Sequence, residues 1–196
     1  MEAEFEVPTW RHVYLMLLGQ AEKIRESSFK PDVIIAVSRG GWLPARVLSD
    51  LLEAGLGNVS VEFYVGVAET RKVPVLAQSV SVAVAGKKVL VVDDVADSGE
   101  SLKLVTAHIL QQGAKESRIA TLYYKPWSAV KPDYYVLETR CWVVFPWEIK
   151  ETVRKIVEKG SDKEAVGVVI AKLVKAGLPK LLAEKFLKEI TEERAC

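Results

Sequence analysis

The sequence predicts an α/β fold in which a twisted parallel β-sheet is flanked by helices. Two short apolar segments, residues 33–37 and 89–92, have the composition of strands that are buried on both faces. Each is followed by a loop of small and charged residues and then by an amphipathic segment with helical spacing. Repeated strand–loop–helix units are typical of parallel sheets, which bind ligands at the carboxyl ends of their strands.

Length and composition limit the possible classes of protein. A chain of 196 residues, 49% of them hydrophobic, suits one main domain with a sizeable core. A formal net charge of +1 without a basic cluster argues against nucleic-acid binding. The two cysteines, Cys141 and Cys196, have neither metal-ligand nor disulfide-framework spacing. Because we find no signal peptide and no long apolar run, we expect a cytoplasmic protein that does not bind membranes.

The other elements of this domain are predicted from spacing and from turn residues. Helices are expected at residues 10–27, 42–53 and 98–112. Further strands are expected at residues 59–67, 75–85, 118–124 and 134–137. The third helix should end at Gly113 and should turn four apolar side chains inward: Leu102, Val105, Ile109 and Leu110.

Residues 89–102 contain the densest group of chemically useful side chains. Three carboxylates follow the apolar strand: Asp93, Asp94 and Asp97. Small residues and a helix N-terminus favour a phosphate, whereas carboxylates hold sugar hydroxyls, a magnesium ion or a proton. A phosphorylated sugar meets both demands. The alternative is a surface turn that caps an ordinary helix.

A second loop, residues 38–41, follows the first apolar strand. Gly40 and Gly41 permit unusual backbone angles and expose N–H groups, and Arg39 offers a planar donor fork that suits phosphate oxygens. Taken alone, the loop is equally well explained as a glycine turn with a solvated arginine.

Two residues further along the chain suit recognition of a flat base. Lys125 stands at the end of a predicted strand, where its ammonium group can donate to a carbonyl oxygen. Trp142 lies near the same predicted edge, where an exposed ring can cover a planar ligand. For Trp147 we expect packing in the core.

The pattern at residues 89–101 resembles the phosphoribosyl pyrophosphate (PRPP) motif of the type I phosphoribosyltransferases. That motif has four hydrophobic residues, two acids, a hydrophobic residue, a variable residue, an acid and a small phosphate loop, and this sequence fills each place. The 38–41 loop is similar to the family's pyrophosphate loop, and residues 125–148 are similar to the branch that uses 6-oxopurines. The resemblance covers about residues 8–150 and implies the family's fold, with a hood segment.

The resemblance also implies a role for each matching residue. The implied PRPP-binding residues are Asp93, Asp94, Ala96, Asp97, Ser98, Gly99, Glu100 and Ser101, with Asp97 as the catalytic residue. The implied pyrophosphate-binding residues are Ser38, Arg39, Gly40 and Gly41, in a loop that often has a non-proline cis peptide. The implied purine-binding residues are Lys125, Trp142 and Val143. The implied Mg²⁺ ligands are Asp93, Asp94 and Glu148.

The expected function is therefore transfer of a phosphoribosyl group from PRPP to guanine, xanthine or hypoxanthine in purine salvage, by a homo-oligomer. A mobile loop would close the site, and Arg71 and Lys72 are either part of it or solvated hairpin charges. Two rival functions are a regulator that senses PRPP or a nucleotide on the same fold, and an adenine phosphoribosyltransferase. Glu100 is a departure, because it adds a negative charge to the expected phosphate loop.

Residues 151–196 differ in character from the domain at residues 1–150 and predict a helical C-terminal extension. Apolar stripes indicate three helices, with the first ending at Gly160 and the third starting at Pro179. Ser161 and Glu164 match a capping box for the second helix. A third rival is therefore an interaction module in which this extension is the functional part.

Overall fold

The computed structural model describes residues 4–65 and 72–195, which contain eight strands and six helices. In chain order they are β1 (Phe5–Glu6), α1 (Trp10–Glu26), β2 (Val33–Ser38), α2 (Trp42–Leu52), β3 (Gly55–Val65), β4 (Lys72–Gln78), β5 (Lys88–Ala96), α3 (Glu100–Gln111), β6 (Glu116–Tyr124), β7 (Tyr134–Glu138), β8 (Trp142–Val143), α4 (Ile149–Lys159), α5 (Lys163–Lys175) and α6 (Lys180–Ala195). The chain forms two compact units. The sheet unit comprises residues 14–139, and the helical unit comprises residues 1–13 and 140–196.

The sheet unit confirms the predicted fold class. Its six strands are ordered β4-β3-β2-β5-β6-β7, and all neighbours are parallel except the β3–β4 pair. Because β2 and β5 are adjacent and in parallel register, the loops that follow them leave the same edge of the sheet. Both strands supply buried residues to a core that also includes Leu102, Val105 and Ile109 of α3.

The central strand β5 is longer than expected. It continues past the apolar run, with Asp93 paired to Thr121 and Ala96 paired to Tyr124. The long neighbouring strand β6 supplies these partners. Backbone pairing with β6 therefore extends β5 through Asp93 and Asp94, although aspartate has a low propensity for strands. Helix α3 starts at Glu100 rather than Ser98, because Gly99 adopts a left-handed backbone with φ of 77°.

Two other predictions within the sheet unit need correction, and a third falls largely outside the described residues. The strand expected at residues 75–85 is correct only up to Gln78, where β4 ends; beyond it, Ser81 makes hydrogen bonds to the Asn58 backbone instead. Leu110 does not face inward, since it is 49% exposed while Ile109 is fully buried. The connector expected to carry Arg71 and Lys72 lies largely outside the described residues, and Lys72 is the first residue of β4.

The helical unit contains the parallel pair β1–β8 and helices α4 to α6. Its core joins Val144, which directly follows β8, to Val153, Leu173, Ala183 and Ile190 of the three helices. The capping box predicted at Ser161 and Glu164 is wrong. Asp162 is the N-cap of α5, since its Oδ1 accepts from the Ala165 backbone N–H at 2.8 Å, and Ser161 donates to Asp162.

Within the described ranges, no helix is both long enough and apolar enough to cross a membrane.

Candidate functional site

Two adjacent carboxylates lie near the end of β5. Asp94 is 8% exposed, Asp93 is half-buried, and the Asp94 backbone N–H donates to Asp93 Oδ1 at 2.9 Å. Burial raises the pKa of Asp93 well above its ordinary value, and the neighbouring Asp94 carboxylate raises it further. The pair therefore favours partners that bring positive charge or O–H donors.

The 38–41 loop lies against these carboxylates. A Cβ atom on Gly40 would overlap the Asp94 carboxylate, and a Cβ on Gly41 would overlap the Val92 carbonyl oxygen. Glycine is thus required at both positions, because the Gly40 backbone lies close to the Asp94 side chain and the Gly41 backbone lies close to strand β5. The Ser38–Arg39 peptide bond is cis, the Ser38 Oγ is buried without a hydrogen-bond partner among the described residues, and Arg39 is exposed.

A pocket of about 200 Å³ opens beside the carboxylates, at the 97–101 loop. Its lining residues are Phe63, Asp93, Val95, Ala96, Asp97, Ser98, Gly99, Ser101 and Leu102. The N-terminal end of α3 begins within this loop, and free backbone N–H groups at a helix N-terminus suit a phosphate. Glu100, which adds a negative charge to the expected phosphate loop, is not among the lining residues.

Gly99 holds the 97–101 loop against a turn that follows β6. A Cβ on Gly99 would lie 2.7 Å from the Val130 nitrogen, and the Ala129 N–H donates to the Ser98 carbonyl at 2.9 Å. The turn is short, because the Ser128 N–H donates back to the Lys125 carbonyl at 2.9 Å. The 97–101 loop is therefore braced from one side.

Lys125 lies at the start of this turn and is only 6% exposed. Its backbone N–H donates to the Ala96 carbonyl at 3.0 Å, which places it beside the end of β5. Its Nζ lies 5.5 Å from the centroid of the Trp127 ring, and Trp127 Nε1 donates to Asp97 Oδ1 at 2.9 Å. The structure thus connects two predicted site residues, Lys125 and Asp97, through Trp127.

The sequence did not lead us to Trp127. The available signal was an aromatic residue two positions after a lysine at a strand end, but nothing in that spacing indicated contact with Asp97, 30 residues away. Only the fold of the turn brings the two side chains together.

The remaining predicted site residues belong to the helical unit. Trp142 is 52% exposed and Val143 is buried, and the Trp142 N–H donates to the Glu4 carbonyl at 2.8 Å. Glu148 is the N-cap residue of α4, and its Oε1 accepts from the Phe145 N–H at 3.3 Å. Trp147 is half-buried and stacks on the buried Phe145, with ring centroids 4.7 Å apart.

The donor set fits magnesium in the way that enzymes acting on phosphates use it. In the described part of the chain, no three His, Cys, Asp or Glu side chains are arranged to enclose a metal ion. Magnesium is usually held by one or two carboxylates together with phosphate oxygens and waters, and Asp93 and Asp94 supply such carboxylates beside the pocket.

Comparisons with known proteins agree with this geometry. The model of the phosphoribosyl transferase domain matches residues 15–153. A xanthine-guanine phosphoribosyltransferase from Gluconobacter oxydans is 36% identical over 118 residues, which are 59% of this chain and 67% of the relative. A hypoxanthine-guanine phosphoribosyltransferase from Schizosaccharomyces pombe is 26% identical, over 73% of this chain and 88% of the relative.

Two solved structures are similar over about three quarters of the chain. A purine phosphoribosyltransferase from Pyrococcus horikoshii Ot3 is 42% identical, with a TM-score of 0.67 over 74% of this chain and 93% of that one. A hypothetical protein from Neisseria gonorrhoeae, solved with bound ppGpp, is 28% identical, with a TM-score of 0.68 over 76% of this chain and 91% of that one.

Proposed function

The chain belongs to the phosphoribosyltransferase family, and we propose that it transfers the 5-phosphoribosyl group of PRPP to a 6-oxopurine. The products are a nucleoside 5-monophosphate and pyrophosphate, as in purine salvage. The observation that carries the proposal is the contact between the Gly40 backbone and the Asp94 carboxylate. It joins a loop suited to pyrophosphate to the acids suited to a ribose, which are the two halves of PRPP.

In this proposal, PRPP is bound by three groups of the sheet unit. The backbone N–H groups of residues 98–101, with the Ser98 and Ser101 hydroxyls, bind the 5-phosphate at the N-terminal end of α3. Asp93 and Asp94 accept hydrogen bonds from the ribose hydroxyls. The 38–41 loop binds the pyrophosphate through its backbone and Arg39.

We assign the purine to three residues: Lys125, Trp142 and Val143. Lys125 donates to the oxygen at position six and disfavours the amino group of adenine at that position. Trp142 stacks on the ring, and the Val143 backbone meets the edge of the base. Since guanine, xanthine and hypoxanthine share the oxygen that Lys125 recognises, this contact accepts all three.

The chemical step is a substitution at C1 of the ribose. A purine nitrogen bonds to C1 while the bond from C1 to pyrophosphate breaks, and Asp97 accepts the proton that the purine loses. Asp93 and Asp94 stabilise the positive charge that develops on the sugar. Asp93, Asp94 and Glu148 would hold magnesium, which when bound neutralises charge on the pyrophosphate.

Assembly and location also belong to this proposal. We expect a cytoplasmic homo-oligomer that requires neither nucleic acid nor a membrane. Large apolar side chains exposed on α1 and α2, among them Tyr14, Leu15 and Trp42, support self-association.

The direct experiment measures nucleotide formation from PRPP, magnesium and each base in parallel. We expect Asp97→Ala to lose about 10²- to 10⁴-fold in turnover, because general acid–base catalysis contributes that much, while PRPP affinity is retained. Unchanged turnover in that variant would remove Asp97 from its role. Salt-dependent binding to nucleic acid without turnover of any base would instead support a regulator.

A further inference from the structure

Trp127 is half-exposed and makes specific contacts with two residues of the candidate site. The residue is 53% exposed, so packing covers only about half of a large indole. Its two polar contacts are specific: Nε1 donates to Asp97 Oδ1 at 2.9 Å, and its ring lies 5.5 Å from Lys125 Nζ. Both contacts are made with residues to which the proposed function assigns a role.

The backbone that carries Trp127 is fixed on both sides. The Ser128 N–H donates to the Lys125 carbonyl, the Ser128 Oγ donates to the Val130 carbonyl at 3.0 Å, and the Ala129 N–H donates to the Ser98 carbonyl. The turn is thus closed on itself and bound to the 97–101 loop. Trp127 is presented from a support that cannot shift without moving that loop.

The indole is suited to hold two different groups at once. Its N–H is only a donor, so it fixes one oxygen of a carboxylate, and its negative ring face attracts an ammonium group. A tryptophan side chain has only two rotatable angles, so few conformations are lost when it holds both. One rigid ring therefore sets the spacing between Asp97 and Lys125.

We propose that Trp127 is a positioning residue that aligns Asp97 and Lys125 with one edge of the purine. On a 6-oxopurine the oxygen at position six and the nitrogen at position seven are neighbours on that edge. Lys125 addresses the oxygen and Asp97 the nitrogen, so their separation must match the base. This inference rests on the proposed function, because that function supplies the roles of Asp97 and Lys125. Trp127 itself is assigned no contact with PRPP.

Two variants separate the two contacts. Trp127→Phe keeps a ring face for Lys125 but removes the N–H donor, whereas Trp127→Leu removes both. We expect Trp127→Phe to lower kcat about tenfold, as expected for a lost hydrogen bond to a charged group, with the KM for hypoxanthine within about twofold. Trp127→Leu should also raise the KM for hypoxanthine about threefold through the lost cation–π contact. In both variants the KM for PRPP should stay unchanged.

The control is Trp10→Phe, a change in a tryptophan that is 58% exposed and has no proposed role in the site. It should leave kcat and both KM values unchanged. Wild-type kcat in Trp127→Phe, or a KM for PRPP that rises in step with the loss of kcat, would overturn the inference. The failure of the wild-type protein to use any base would instead overturn the proposed function.

A spectroscopic measurement tests the contact without turnover. The indole N–H resonance of Trp127 is assigned by its disappearance from the ¹H–¹⁵N spectrum of Trp127→Phe. Asp97→Ala should shift that resonance, because it removes the acceptor at 2.9 Å. An unshifted resonance would overturn the proposed link between the two residues.

Discussion

Asp93 is the residue at which stability and the proposed function conflict most directly. Burial and the Asp94 carboxylate raise its pKa above the ordinary 3.8, so the folded chain binds this proton more tightly than the unfolded chain. The free energy of unfolding therefore falls as pH rises from 3.8 through the raised pKa, and the penalty is complete above that value. A cation, or the hydroxyls of a sugar, would relieve it.

We expect Asp93→Asn to stabilise the ligand-free protein at neutral pH and to weaken PRPP binding. The amide oxygen can still accept from the Asp94 N–H, so the variant removes a charge and little else. At pH 8 the Tm should rise by about 2–4 °C, the shift that about 1 kcal/mol gives in a chain of this size. Thermal melts at pH 8 and pH 3.5 measure the effect. An equal gain at both values would contradict the assignment to ionisation.

Gly41 is a second residue whose identity the structure explains. A Cβ there would overlap the Val92 carbonyl oxygen and lie 2.8 Å from the Val37 carbonyl oxygen. Both oxygens belong to the backbone of central strands, which cannot move aside as a flexible side chain could. We expect Gly41→Ala to cost about 1–3 kcal/mol of stability, as overpacking does, and to raise the KM for PRPP.

The matched control is Gly167→Ala in α5, where a Cβ would meet no atom within 4 Å. It should stabilise by about 0.5–1 kcal/mol, because alanine is the better helix former. Urea unfolding of both variants measures the difference. If Gly41→Ala and Gly167→Ala changed the free energy of unfolding in the same direction, the close backbone approach would not be the reason for glycine at position 41.

The residues of the candidate site differ in how far the sequence could predict them. Asp93, Asp94, Ser98 and Gly99 stand in one local pattern, and a local pattern can be recognised because strand, loop and helix follow in order. Trp127 could not be predicted, because its partner Asp97 is brought near by the 125–130 turn.

At the scale of elements, the buried strands were the most predictable. The runs at 33–37 and 89–92 are apolar throughout, as is typical of central parallel strands that are buried on both faces. The predicted strand at 75–85 was wrong beyond Gln78, where β4 ends. Its alternating valines fit a strand, but Val84 is buried from an irregular segment whose Ser81 makes hydrogen bonds to Asn58. Alternating hydrophobicity indicates which side chains are buried, but it does not indicate whether the backbone pairs with another strand.

The C-terminal helices contribute the core beneath β8. Leu173 of α5 is fully buried in the cluster that contains Val144, one residue after Val143. We expect Leu173→Ala to cost about 2–5 kcal/mol, through lost burial and a cavity. Because Val143 belongs to the proposed purine site, the KM for hypoxanthine should rise more than the KM for PRPP.

Leu181→Ala is the matched control on α6, since Leu181 is 77% exposed. It should change the free energy of unfolding by no more than about 0.5 kcal/mol. Urea unfolding and steady-state kinetics measure both effects. If Leu173→Ala left the KM for hypoxanthine unaltered despite the loss of stability, these helices would not support the base site.

At the scale of the whole molecule, the sequence predicted one sheet domain and a helical extension with a boundary at residue 150. The structure has two compact units, and the helical unit also includes residues 1–13 and 140–150. The N-terminal strand β1 pairs with β8, and no local sequence pattern predicts such a long-range contact. The boundary at residue 150 stays a prediction. The family model matches residues 15–153 and so ends close to it.

The central claim is that the protein selects purines by the oxygen at position six, and comparing hypoxanthine with adenine tests it most directly. The two bases differ at that position, which we assign to the buried Lys125. The measurement is kcat/KM for each base with PRPP and magnesium. We predict a preference for hypoxanthine of at least about 100-fold, because an ammonium donor faces an amino group in the wrong complex. Equal values, or a preference for adenine, would contradict the account.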